Sequence, residues 1–324
     1  MPRKATVLVF AFWSLVSGSA VAQGYPERPV RIVVPSPAGG SADLVARIFS
    51  SPFSAELRQS VVIENYPGAG TKLGTNLVRS AAPDGYTLLM SPQGVIPGLD
   101  LASVALIATS SMVLIAPPSF PAKTLQEFIS MNRQGSLPIT FGLAGGEGST
   151  SYYAAQLFKS VAKVTANDAP VKSGNAMVDL ASGQVSAAFV YPWVALPLIR
   201  TGQIRALAVS GHQRIPELKD VPTAQEAGVS GFELSAWFGL FVPKATPSSI
   251  QTRLWDAATK ALGDSELRRR FLEQGMEPGK LVGPDADAYV RGEFQRTTVV
   301  RVVPVCCVSS ACGDMRICQR EIRQ

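Results

Sequence analysis

Short apolar, β-branched runs alternate along this chain with longer stretches whose apolar residues recur every three or four positions. The first run, Val30, Ile32, Val33 and Val34, predicts a strand. It stops at Pro35 and Pro37, passes through Gly39 and Gly40, and reopens at Ser41 as an amphipathic helix. The same pattern returns at once: a strand over Val61 to Glu64, a Pro67-Gly68-Ala69-Gly70 turn, and a helix near Leu73 to Ala81. Behind Pro83-Asp84-Gly85 lies a strand from Tyr86 to Met90, followed by strands at Val104 to Ala108 and Met112 to Ala116. A helix capped by Thr124 runs to Met131, and Ile139 to Leu143 is a strand that delivers a small-residue loop, Ala144 to Ser151, into a helix ending near Ser160. After a helix closing at Val178 to Leu180 come strands at Ser186 to Tyr191 and Ala206 to Ser210, with helices at Leu196 to Thr201 and Pro222 to Ala227. Beyond Gly231 an apolar strand through Phe232 to Pro243 precedes helices at Pro247 to Leu262 and Ser265 to Gln274. Strands alternating with helices predict an α/β protein with mostly parallel sheets.

Some three hundred residues beyond a short leader exceed one ordinary core and imply two lobes. Pro117-Pro118 suits a crossing between them, and the strand after Gly231 returns to the first sheet, which the last helices need as a surface to cover. The expected division is a discontinuous first lobe, residues 23–120 and 232–296, enclosing a second lobe, residues 121–231. Two crossings make a hinge.

The leader is legible on its own. Arg3 and Lys4 precede an apolar run from Ala5 to Val16, and Ala20-Val21-Ala22 supplies a small-residue cleavage motif, so residues 1–22 read as a secretory signal peptide. The run is shorter than the ~20 residues a spanning helix needs, and a soluble exported chain is expected. The formal net charge of +6 comes from scattered Lys and Arg without interleaved aromatics, which argues against a nucleic-acid partner. Cys306, Cys307, Cys312 and Cys318 all lie near the C-terminal end, so no disulfide framework is expected in the body, and their spacing lacks the paired C-x-x-C of a zinc site.

The chemistry concentrates in loops that open helices. Pro37, Ala38, Gly39, Gly40 and Ser41, with Ser41 as N-cap and Asp43 as a first-turn acid, form one candidate anion cradle, since a helix start offers unpaired N–H groups and a positive dipole end. Gly146, Gly148, Ser149, Thr150 and Ser151 form a second in the other lobe, and Lys172, Ser173 and Gly174 a third helix start that reads equally as a plain turn. Two such starts facing across a cleft would grip a ligand carrying carboxylates. Gly68-Ala69-Gly70-Thr71-Lys72-Leu73-Gly74 has the spacing G-x-G-x-x-x-G, which fits a turn with close helix packing better than a dinucleotide fingerprint. The single histidine, His212, reads as a solvated surface residue, and no G-x-S-x-G, Walker A or H-E-x-x-H motif occurs; no catalytic residue, cofactor or metal is expected. Trp237 and Phe238, and likewise Tyr152 and Tyr153, read either as cleft lining or as core.

Ordered motifs then carry a family resemblance. Tyr25-Pro26-Glu27-Arg28-Pro29-Val30-Arg31-Ile32-Val33-Val34-Pro35 with Pro37-Ala38-Gly39-Gly40 and Asp43 resembles the opening of the substrate-binding proteins of tripartite tricarboxylate transporters, the periplasmic Bug receptors. Val62-Ile63-Glu64-Asn65, Ala82-Pro83-Asp84-Gly85-Tyr86, Ser182-Gly183-Gln184-Val185, Gly202-Gln203-Ile204-Arg205, Asp220-Val221-Pro222-Thr223 and Trp237-Phe238-Gly239 follow in order, and the likeness extends over about Tyr25 to Glu293. The resemblance implies a two-lobed periplasmic binding protein fold, type II-like, that closes on a small organic acid (a di- or tricarboxylate, an amino acid or an aromatic acid) and delivers it to membrane permease subunits. The implied contacts fall at Pro35 to Asp43 and Gly146 to Ser151, and the implied state is a monomer without cofactor or metal.

Three departures stand out against the family pattern. Val190 and Tyr191 stand where relatives carry an acidic or amide pair, the stretch between Ser91 and Val104 is shorter, and residues 297–324 replace a tryptophan-containing helix end, as a shifted reading frame would. Either an altered ligand specificity or a damaged site is expected from the first two. Two other functions are compatible with the same cleft: a ligand-sensing partner of a membrane kinase, and an exported enzyme.

Overall fold

The structure is a computed structural model that describes residues 24–93, 100–144, 149–171 and 176–302, the side chains of 294–302 excepted. The elements begin with β1 (Val30–Val34), α1 (Ser41–Leu57), β2 (Val61–Asn65), α2 (Lys72–Arg79), β3 (Thr87–Pro92) and β4 (Leu101–Ser111). The chain continues through β5 (Val113–Ala116), α3 (Leu125–Arg133), β6 (Ile139–Leu143), α4 (Thr150–Ala162), β7 (Ala166–Pro170), α5 (Ala176–Ala181), β8 (Ala187–Val190), α6 (Pro192–Arg200) and β9 (Arg205–Val209). It ends with β10 (Ser235–Pro243), α7 (Ser248–Gly263), α8 (Ser265–Glu273), β11 (Glu277–Pro278) and α9 (Gly283–Val302).

These strands form two sheets, a six-stranded one ordered β11-β4-β10-β3-β1-β2 and a five-stranded one ordered β7-β6-β8-β5-β9. The two-lobed α/β fold is the expected one, but the pairing is mixed. β2, β1 and β3 run parallel, as do β7, β6 and β8, whereas β10, β4, β5 and β9 join antiparallel. The strands that run against their neighbours are β5 and β10, each the first strand its sheet receives after a passage between the lobes.

Both sheets are covered on both faces, which explains why their central strands read as unbroken apolar runs. Along β1, Val34 packs with Phe49, Phe53 and Phe238 under α1 and α7, while Val33 faces Val78, Trp237 and Phe241 under α2 and α9. In the second lobe Phe128, Phe141, Phe158, Phe189 and Phe232 form one aromatic cluster beneath α3 and α4, and Val113, Ile115, Val190 and Leu196 fill the opposite face. No helix among the described residues is long and apolar enough to cross a membrane.

The crossings lie elsewhere than expected. β4 and β5 are separated by Met112 alone and belong to different sheets, so the first passage falls there and not at residue 120. The return falls between Leu234 and Ser235, because Phe232 and Leu234 still pack in the second lobe's core. Ser210 ties the two passages together: its hydroxyl donates to Leu234 O at 2.6 Å and accepts from Met112 N at 2.8 Å, and its own N–H donates to Met112 O. The proline pair merely ends β5. Pro222 to Ala227 closes a single turn instead of a helix: Thr223 and Glu226 satisfy each other's N–H groups as a capping pair, but Gly228 follows at φ +87° and ends it. α9 runs on to Val302, past Thr297 where the sequence departs from the family pattern, and residues 303–324 with their cysteines lie outside the described residues.

Candidate ligand-binding site

The loop between β1 and α1 is a tight construction around one carboxylate. Gly39 adopts φ +79°, a left-handed conformation that favours glycine, and Gly40 N–H donates to Pro37 O at 3.1 Å to close the turn. Gly40, extended at φ −73° and ψ 173°, is the N-cap of α1, so Ser41 is already helical and does not cap it. That corrects the expectation and frees the Ser41 hydroxyl for another partner.

Asp43 is buried, and its Oδ2 accepts Gly39 N–H at 2.8 Å and Arg47 Nε at 2.8 Å, while Oδ1 accepts Asn65 Nδ2 at 3.1 Å. Asn65 stands opposite Val34 in the β1–β2 register, which brings its amide to Ser36 O at 3.1 Å as well. Asp43 is therefore a positioning residue with its oxygens occupied by the protein, and Asn65, not singled out from the sequence as a site residue, is its counterpart. Burial raises the Asp43 pKa, and hydrogen bonds from Arg47, Gly39 N–H and Asn65 more than offset this, leaving the carboxyl below its ordinary value. A carboxyl whose pKa is lower in the folded chain stabilises the fold above the unfolded value near ~4, and that contribution is lost as pH falls through the folded value. The stability difference between wild type and Asp43→Asn is expected to shrink as urea midpoints are followed from neutral pH down through the carboxylate range. A difference that stays constant would contradict this account.

With Gly39 and Gly40 N–H occupied within the loop, the donors aimed outward are those of Ser41, Ala42 and Asp43, the first N–H groups of α1, which have no carbonyl one turn behind them. The Ser36 hydroxyl, in the same loop, is buried and has no hydrogen-bond partner. Pro37, Ala38 and Gly39 are exposed at the rim.

In the second lobe α4 starts beside this loop. Ser149 is its N-cap, accepting Tyr152 N–H at 3.2 Å, and the buried Ser151 hydroxyl donates to Phe189 O at 3.0 Å, anchoring the helix start to the sheet. Gly146 and Gly148, like Lys172, Ser173 and Gly174, lie outside the described residues. Tyr191, following β8, connects the two lobes: its hydroxyl donates to Thr150 Oγ1 at 3.1 Å and is hydrogen-bonded to the Ser41 side chain. Its ring stacks on Trp193, with centroids 4.3 Å and planes 10° apart, and meets Phe238 at 6.0 Å. Burial raises the Tyr191 pKa against the lowering effect of these hydrogen bonds, which keeps the phenol neutral. The starts of α1 and α4 thus converge on one phenolic oxygen. The sequence marks Tyr191 only as a departure from pattern; its bridging contacts span 150 and 41 residues of chain and leave no local signal.

The remaining candidates resolve as core or surface. Trp237 is core between the first sheet and its α2/α9 layer, Phe238 is core on the other face, and Tyr153 is buried in the second lobe. His212 is exposed, 3.7 Å from Glu233. The glycine-rich turn at Gly68 to Gly74 serves packing, because a Cβ on Gly74 would stand 3.0 Å from Pro35.

This chain is matched over residues 45–301 by the family described as tripartite tricarboxylate transporter family receptor. Protein BugT of Bordetella pertussis is 30% identical over 307 residues, 90% of this chain and 94% of that protein. An R. palustris protein solved with adipate superposes with a TM-score of 0.78 at 31% identity, covering 86% of this chain and 97% of that one. MatC from Rhodopseudomonas palustris, solved with bound malate, does so with a TM-score of 0.73 at 34% identity, covering 85% and 99%.

Proposed function

Because the chain belongs to the tripartite tricarboxylate transporter receptor family, we propose that it captures a small carboxylic acid between its two lobes in the periplasm and hands it to the membrane permease of such a transporter. The observation that carries this reading is the convergence of the α1 and α4 helix starts across the cleft, joined through Tyr191. Amides at a helix start hold an anion with no charged side chain, and charge-assisted hydrogen bonds of ~1.5–3 kcal/mol each let three of them contribute ~4.5–9 kcal/mol before association costs. Relatives solved with adipate and malate support a carboxylate in this class of cleft. In this reading residues 1–22 are the export leader, the lobes divide at Met112 and Ser235, and closure is a rotation about the strand pair that Ser210 ties together.

Isothermal titration of the purified chain with adipate, malate, benzoate and glutamate tests the reading. Saturable binding of at least one acid, one per chain, is expected; flat titrations on a cooperatively folded sample would overturn it.

A further inference from the structure

We infer that Tyr191, Pro192 and Trp193 form a latch between the lobes, made of protein groups alone, that holds the cleft closed before an acid arrives. The latch stands apart from the carboxylate reading above; only its effect on affinity rests on that reading.

The segment is built in the second lobe. β8 ends at Val190, which pairs with Val113, and the extended Tyr191 is the N-cap of α6, its carbonyl accepting the N–H groups of Val194 and Ala195. Pro192 follows at the start of the helix, where its fixed φ suits a first turn and stiffens the segment. The Tyr191 hydroxyl is held on its own lobe by Thr150 Oγ1 at 3.1 Å, and its ring by Trp193, stacked at 4.3 Å.

What this segment touches belongs to the first lobe. Tyr191 and Trp193 are partly buried against the core under α1 and α7. The Tyr191 ring meets Phe238 of β10 at 6.0 Å, and its hydroxyl is hydrogen-bonded to the Ser41 side chain at the start of α1. Pro192 is buried and lies against Gly275, in the turn between α8 and β11. A Cβ on Gly275 would stand 2.6 Å from the Pro192 Cβ, so the lobes approach this closely only because residue 275 has no side chain. Gly275 O in turn accepts the Ser110 hydroxyl at 3.3 Å, which fixes the turn to the end of β4 beside the first passage. Opening the cleft would expose the apolar contact and part the Tyr191–Ser41 hydrogen bond, and both effects oppose opening. A chain whose closed state is already populated needs less of its binding energy to close, so the latch raises affinity for every acid by one common factor.

The test is small-angle scattering of the full chain, dialysed through guanidinium to strip any carried acid and refolded. Wild type is compared with Tyr191→Ala, Tyr191→Phe and Ser41→Ala, each first checked by circular dichroism and thermal melting. Without acid, wild type is expected to be compact and to contract no further on adding malate, adipate or benzoate, whereas Tyr191→Ala is expected to be expanded. Tyr191→Phe and Ser41→Ala, which remove opposite ends of one hydrogen bond, are expected to expand less, and combining them to add nothing to Tyr191→Phe. Titrated into Tyr191→Ala, the acids that bind wild type are expected to lose affinity by one common factor of about tenfold. A wild type that is expanded until acid is added, or folded variants as compact as wild type, would overturn the latch and leave the carboxylate reading intact. Flat titrations with every acid, beside a compact wild type and an expanded Tyr191→Ala, would overturn the carboxylate reading and leave the latch standing.

Discussion

Asp43→Ala is expected to weaken acid binding by about ten- to a hundredfold while the chain still folds. The carboxylate ties Gly39 N–H and the Asn65 amide into one arrangement, and so holds the left-handed Gly39 turn in register with the start of α1. Without it the loop must be ordered by the ligand, at ~1–2 kcal/mol for each backbone residue fixed, and every ~1.4 kcal/mol is tenfold in affinity. Losing the buried carboxylate and stranding its partners costs the fold a further ~2–3 kcal/mol. Arg47→Ala is the control: Arg47 is exposed and touches the same oxygen from solvent, so its loss should change affinity little. Equal effects of the two substitutions on titrated affinity would contradict the assignment of Asp43 as organiser of the loop.

Phe158→Ala is expected to be the most destabilising single change in the second lobe, at about 3–5 kcal/mol by chemical denaturation. Phe158 is fully buried on α4 and meets the rings of Phe128, Phe141, Phe189 and Phe232 at centroid distances of 5.3–6.2 Å. Removing it opens a ring-sized cavity under α4 and takes several edge-to-face pairs with it. The loss should reach the site, because the Ser151 hydroxyl at the start of the same helix is anchored to Phe189 O. Phe158→Leu, which retains most of the volume, should recover a large part of the stability. A loss below ~1 kcal/mol in the alanine variant would mean that the cluster is not the lobe's core.

The parts of this molecule that were legible in its sequence are those governed by neighbours in the chain. Val30 to Val34 followed by a proline-glycine loop could hardly be other than strand, turn and helix start, and Thr124 caps its helix as short-range hydrogen bonding requires. Ser41 was the wrong cap because Gly40 competes for the position and differs from it only in backbone angles. The first crossing leaves no local signal because Thr109, Ser110 and Ser111 break the apolar run from Val104 to Ala116 without a proline or glycine to mark a passage; which sheet a residue joins depends on Ser210 and Leu234, far along the chain. The same holds at the site. Asp43 reads locally as a favourable first-turn acid, and only the β1–β2 register brings Asn65 to it and makes the pair the frame of the loop. Tyr191 carries no periodicity or motif; its importance comes from the place where the lobes meet.

The central claim, that a carboxylate lies at the start of α1 with α4 closing on it, is tested most directly by amide chemical shifts of the labelled chain during titration with benzoate. The account predicts that the amides of Ser41, Ala42 and Asp43 shift together with those of Thr150 and Ser151, all following one saturation curve. Shifts confined to one lobe, or centred on residues away from both helix starts, would contradict it.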